Sequence, residues 1–320
     1  MNDERGVAGR PVDELAGRVL GAWDALLALA EQSGPEQSLA ELAELGSWPE
    51  RPVLHRLMHQ ARTAAPPAPG SPPVTTTANR TGESDGAADR PGHAGATAER
   101  MGTEGRVDHG GAGRDAVLAA LGEARARVAG ALEEIRERPA LALVPLDSAL
   151  GPLPLLTQVH AMGHELALAA LRWTDARTDT RPEAVPLPEA ITDAGVAALI
   201  DVVGALAHRQ GLRASAGVWG PGTDGWIFLA GPEGWRTVQG ASAASGVPGV
   251  EGPAAAVLGV PAGRGALPSL LARGELKLHR IGGLMALAPL LEQVPGLPGG
   301  VLLRRAAGMV GLLGRLPGMR

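Results

Sequence analysis

The chain of 320 residues carries 29 lysines and arginines against 34 aspartates and glutamates, a formal net charge of −5. This balance argues against nucleic-acid binding, which draws on a basic face, and the absence of cysteine excludes a disulfide scaffold and any thiol chemistry by the chain's own side chains. Hydrophobic residues make up 45% of the sequence but aromatic ones only 2%, so leucine, valine and alanine must fill the core, with Trp23, Trp48, Trp173, Trp219, Trp226 and Trp235 as its few large groups.

The length suits about two domains of roughly 150 residues each. The opening residues MNDER are charged and lead into no apolar core, so they do not read as a secretory signal. No apolar run reaches the roughly 18–20 residues that span a bilayer. The expectation is a soluble, cytoplasmic protein without a transmembrane segment.

The first helix is expected over 11–32. Asp13 and Glu14 stand in its first turn, where acidic groups favour the helix dipole, and Leu20, Trp23, Leu26, Leu27 and Ala30 follow at helical spacing. A second, shorter helix over 52–63 starts on proline, as helices tolerate at their first position. The segment 64–113 has almost no large apolar residue and is expected to be a disordered insertion, since it cannot bury enough surface to offset its ordering entropy. The third helix, over 114–138, carries Val117, Leu121, Val128, Leu132 and Ile135. The fourth runs over 153–173. None of the four can bury its apolar face alone, which predicts an antiparallel bundle over 1–173.

The fourth helix holds the strongest lead to function. His160 and His164 are four residues apart, which puts both imidazoles on one helical face about one turn apart. Two neutral ring nitrogens so placed can converge on one metal ion. On the helical wheel both fall at the margin of an apolar arc that includes Leu155, Val159, Met162, Leu166 and Trp173, away from the polar stripe of Gln158, Glu165 and Arg172. A histidine at such a margin also serves as a simple hydrogen-bonding core residue, and the spacing alone does not choose between these roles.

A polar, proline-bearing linker is expected over 174–190, followed by a helix over 191–210. Three short strands, 215–219, 225–230 and 234–239, are separated by turn residues at 221–225 and 231–234. Short helices over 252–259 and 266–273, a strand over 275–280 with alternating polarity, and a helix over 282–293 complete a small α+β domain over 191–300. The glycines at 217–222 include neither GxGxxG nor a phosphate-loop lysine and read as a hairpin turn. In the last segment, 301–320, Arg304, Arg305, Arg315 and Arg320 punctuate an apolar run. This basic, apolar tail fits either weak contact with an anionic membrane surface or a helix packed on its own domain.

Three stretches carry a resemblance to a known family: the run GSWPERPVLH at 46–55, with its continuation to His59; the helix LLTQVHAMGHELALAAL at 155–171; and VEGPAAAVLG at 250–259, followed by 264–274. In this order they resemble the mycothiol-dependent maleylpyruvate isomerase family. The resemblance implies an N-terminal DinB-like metal-binding four-helix bundle followed by a sterol-carrier-like α+β domain. It implies zinc or a similar divalent metal held by His160, His164 and a histidine of the second helix, His55 or, as the alternative, His59. His160 stands where the family usually has a glutamate. The implied chemistry is cis–trans isomerisation or thiol transfer assisted by mycothiol or another small thiol, with Arg236 or Arg264 as candidates to steady a substrate carboxylate. The competing expectation is a non-catalytic protein whose carrier-like domain holds an apolar ligand or a partner.

Overall fold

The helix expected over 191–210 is the element on which the molecule is organised. It forms as α5 (Glu189–Arg209) and is buried on nearly every side. The computed structural model describes residues 5–33, 52–65, 113–148, 151–178, 186–241, 246–260 and 266–287, with positions 39, 42, 45 and 290. The other expected long helices form as α1 (Val12–Gln32), α2 (Pro52–Ala64), α3 (Arg114–Glu137) and α4 (Leu155–Thr178). Two-residue strands β1 (Pro145–Leu146) and β2 (Leu153–Pro154) pair antiparallel and lead into α4. Most of the expected insertion, the tail over 301–320, Trp48 and Arg264 lie outside the described residues.

The helices form for reasons readable in their residues. Along α1, Leu15, Val19, Ala22, Trp23, Leu26 and Ala30 are buried at helical spacing. The helix ends at Ser33, where Arg114 at the head of α3 donates to the Ala30 carbonyl at 2.5 Å and the Ser33 carbonyl at 2.8 Å. The last carbonyls of a helix lack intrahelical partners, and a guanidinium supplies both hydrogen bonds and positive charge there. Arg18, further along α1, lies 4.3 Å from the Trp226 ring centre and 3.5 Å from Asp193, which in turn accepts from Trp226 Nε1 at 2.6 Å. This cluster ties α1 to α5 and to the sheet.

The sheet contains β3 (Ala214–Trp219), β4 (Gly225–Ala230), β5 (Trp235–Ala241), β6 (Gly249–Glu251) and β7 (Lys277–His279) in the order β5-β4-β3-β6-β7. Among these five strands β3 and β6 pair parallel and the other neighbours antiparallel. α6 (Ala254–Gly259) and α7 (Leu267–Ala272) connect β6 to β7, and α8 (Ile281–Leu284) follows. Strand alternation sends Ala216, Val218, Trp226 and Phe228 into the core against α5, while Ser215 and Leu229, paired in register, face the other way.

The result is a mixed α/β fold of several helices and a small open sheet. Its core does not divide at the expected linker. Leu26 of α1, Leu121 of α3, Leu166 of α4, Leu206 of α5, Phe228 of β4 and Leu258 of α6 belong to one continuous cluster of buried side chains. α4 also runs on to Thr178, beyond its expected end at 173. The sequence reading did not include β6, and the strand expected over 275–280 shortens to Lys277–His279.

By length and composition α5 could cross a membrane, despite the expectation that no run is long enough. Yet 72% of its apolar window is buried inside the protein, so its apolar surface is consumed by helix and sheet packing.

Candidate functional site

Close approach of α4 and α5 builds the site. A Cβ added at Gly163 would stand 3.0 Å from the Ala194 carbonyl, and one added at Gly195 would stand 2.6 Å from Ala167 Cβ. Small residues at this crossing let the two backbones come together, and Gly163 lies between the two histidines on α4. The histidine face is therefore turned onto α5. The expected margin of the apolar arc is covered by a second helix.

His160 is fully buried. Its Nδ1 lies 3.8 Å from Oδ2 of Asp201, a carboxylate that is also fully buried. The other oxygen of Asp201 gathers three donors: the Val7 backbone N–H at 3.0 Å, Trp235 Nε1 at 3.0 Å and the Thr237 hydroxyl at 2.6 Å. One side chain thus joins the N-terminal turn, α5 and β5, and faces the histidine helix. Trp235 is held further by His208, whose ring stacks on it at 5.8 Å and whose Nδ1 lies 2.8 Å from the Gly231 carbonyl oxygen.

His164 is half-buried. Burial pushes its imidazole down to about 4, opposed by a hydrogen bond to the Gly195 backbone on α5. It is therefore neutral at pH 7, the form in which imidazole ligates metal. The two histidines differ in their partners: His164 hydrogen-bonds the Gly195 backbone with one nitrogen and keeps Nδ1 buried and unpartnered, whereas both ring nitrogens of His160 are buried without a hydrogen-bond partner, Nδ1 facing Asp201. Thr157 Oγ1, one turn before His160 on α4, and Trp23 Nε1 are buried in the same condition.

These buried, unpartnered nitrogens make the metal expectation chemically coherent, because metal-bound histidines characteristically present their second nitrogen to a carboxylate or a backbone carbonyl. Among the described residues, no three of His, Cys, Asp and Glu come together as a ligand set. The side chain of His55 on α2 lies outside the described residues, and His59 is exposed on the same helix. Arg236 is exposed on β5 between Trp235 and Thr237, which are both buried, and Arg264 is not among the described residues.

Sequence reasoning passed over Asp201 and its three donors. A signal was present: Asp201 is the one acidic residue within the apolar stretch from 194 to 207, and a lone carboxylate inside a core helix requires buried partners.

A pH dependence follows from His164. Unfolded, its imidazole takes up a proton below about 6.5; folded, it stays neutral down to about 4. Within that window the unfolded chain binds more protons, so stability is fully present above it and falls as pH drops, by up to about 1.4 kcal/mol per pH unit. Thermal melts of chelator-treated protein between pH 7 and 4 should show this decline. In His164→Gln that part of the slope should flatten.

A separate cavity of about 370 Å³ opens where the start of β3 meets the end of β4. Ser215, Leu229, Ala230 and Pro248 line it, with Arg213 beside them and Gly283 from α8. Ile281 and Met285 nearby in the chain are 40% and 42% exposed, high for large apolar side chains.

No family model, no curated protein and no solved structure matches the chain.

Proposed function

We propose that the protein is a metal-dependent enzyme that uses an external low-molecular-weight thiol, in the manner of the mycothiol-dependent maleylpyruvate isomerase family, to isomerise or conjugate a small activated substrate. The observation that carries this reading is the paired condition of His160 and His164. Both rings face α5, and together they hold three buried nitrogens without a hydrogen-bond partner, both of His160 and Nδ1 of His164. When bound, a divalent cation would supply the charge that turns a thiol into a thiolate nucleophile. His160 and His164 would hold the ion, and α5 would fix the orientation of both rings. The absence of cysteine accords with a thiol that comes from outside.

Elemental analysis tests this directly. After supplementation, purified protein is expected to retain about one zinc or similar ion, and His160→Ala is expected to lose it. Thiol-dependent isomerase and transferase assays on the loaded protein follow. A wild type that retains no metal overturns the reading.

The cavity at the start of β3 and the end of β4 favours a second reading, a non-catalytic protein whose α+β part holds an apolar ligand. Its volume is within the range of small-molecule pockets. Metal-free wild-type protein that binds an apolar dye saturably, with loss on Leu229→Glu, would favour this reading over the first.

A further inference from the structure

We infer that Asp201 is a positioning residue that dictates which nitrogen of His160 carries the proton. The two oxygens of the carboxylate stand in different surroundings. Oδ1 already accepts from Val7, Trp235 and Thr237. Oδ2 is buried without a hydrogen-bond partner and faces His160 Nδ1 at 3.8 Å, too long for a hydrogen bond but close enough for its negative charge to act on the ring. A carboxylate only accepts. The imidazole therefore meets it with N–H at Nδ1, which leaves the lone pair on Nε2, the other buried and unpartnered nitrogen. A carboxylate beside one ring nitrogen favours the tautomer that carries its proton there.

Asp201→Asn separates this role from mere scaffolding. The asparagine has one accepting oxygen and one donating amide. Three donors converge on the Oδ1 position, so the amide oxygen must occupy it and the NH₂ group must turn towards His160. His160 Nδ1 then has to accept, and its proton moves to Nε2. In that tautomer Nε2 has no lone pair for a metal ion. Only this last consequence rests on the metal reading; the tautomer itself does not.

The experiment is long-range ¹H–¹⁵N correlation NMR of the metal-free, full-length protein at pH 7.5, with the His160 signals assigned by loss in His160→Gln. Wild type is expected to show the Nδ1–H form and Asp201→Asn the Nε2–H form. Thr237→Val, which removes one donor from Oδ1 but leaves Oδ2 untouched, is expected to keep the wild-type form. An Nε2–H form in wild type, or the same form in wild type and Asp201→Asn, overturns the inference. The wild-type spectrum decides alone if Asp201→Asn does not fold. A titration with Zn²⁺ adds the linked result, a 10- to 100-fold weaker affinity in Asp201→Asn, in keeping with the loss of an outer-shell partner. Wild type in the Nδ1–H form that binds no Zn²⁺ would defeat the metal reading and leave this one standing.

Discussion

Asp201→Ala is expected to destabilise the protein by about 3–6 kcal/mol, one of the largest losses any single substitution in this chain should cause. The alanine removes the acceptor shared by the Val7 N–H, Trp235 Nε1 and the Thr237 hydroxyl. Each buried donor left without a partner costs about 1–3 kcal/mol, and the three losses overlap because they share one site. Asp201→Asn keeps an acceptor at the Oδ1 position and should cost much less, about 1–2 kcal/mol. Urea unfolding separates these outcomes as shifts in midpoint with little change in slope. A loss below about 1 kcal/mol for Asp201→Ala would show that the carboxylate is not the junction described above.

Gly6→Ala should come close to it, with an expected loss of about 2–5 kcal/mol. Gly6 has φ +56° and begins the 3-10 turn Gly6–Gly9. A Cβ there would overlap both Trp235 Nε1 and Asp201 Oδ1, so the new methyl group meets backbone strain and a packed hydrogen-bonded pair together. Gly222→Ala is the matching control. Gly222 has φ +68° but no atom within 4 Å of the added Cβ, so only the backbone cost remains, about 1 kcal/mol. Equal shifts for the two variants in thermal melts would show that the contact with Asp201 and Trp235 adds nothing.

Much of the fold was legible because its elements advertise themselves by period. The apolar spacing of 114–138 became α3 within a residue at its end, and the strands expected over 215–219, 225–230 and 234–239 became β3, β4 and β5. β6 was not legible. It has three residues, one of them glycine, too few for an alternation, and it exists because Gly217, Val218 and Trp219 of β3 offer a parallel partner. The central position of α5 was hidden for a related reason: a helix buried all round has no polar face to show which side points inward.

The candidate site divides in the same way. The i, i+4 spacing put His160 and His164 on one face from sequence alone. What that face meets depends on contacts far along the chain. Asp201 is 41 residues from His160, and its donors lie 194, 34 and 36 residues from it. No local pattern encodes such pairings. The expected division at 174–190 rested on a local drop in apolar content, whereas the core that passes from α4 to α5 depends on small residues, Gly163, Ala167, Ala194 and Gly195, whose contacts only the folded chain brings together.

Among the described residues the sheet ends on β7 and on β5, and open sheet edges invite pairing with another chain. On one side β7 is only three residues long and offers a foreign strand little to add to. On the other, Arg5 forms a parallel bridge with Trp235 at the start of β5, and Arg236 and Gln239 are exposed along that strand. The N-terminal segment that delivers Val7 to the buried carboxylate thus also covers the start of the longer edge, at Trp235. The same few residues that complete the hydrogen bonds of the interior occupy the first position at which a foreign strand could add to β5.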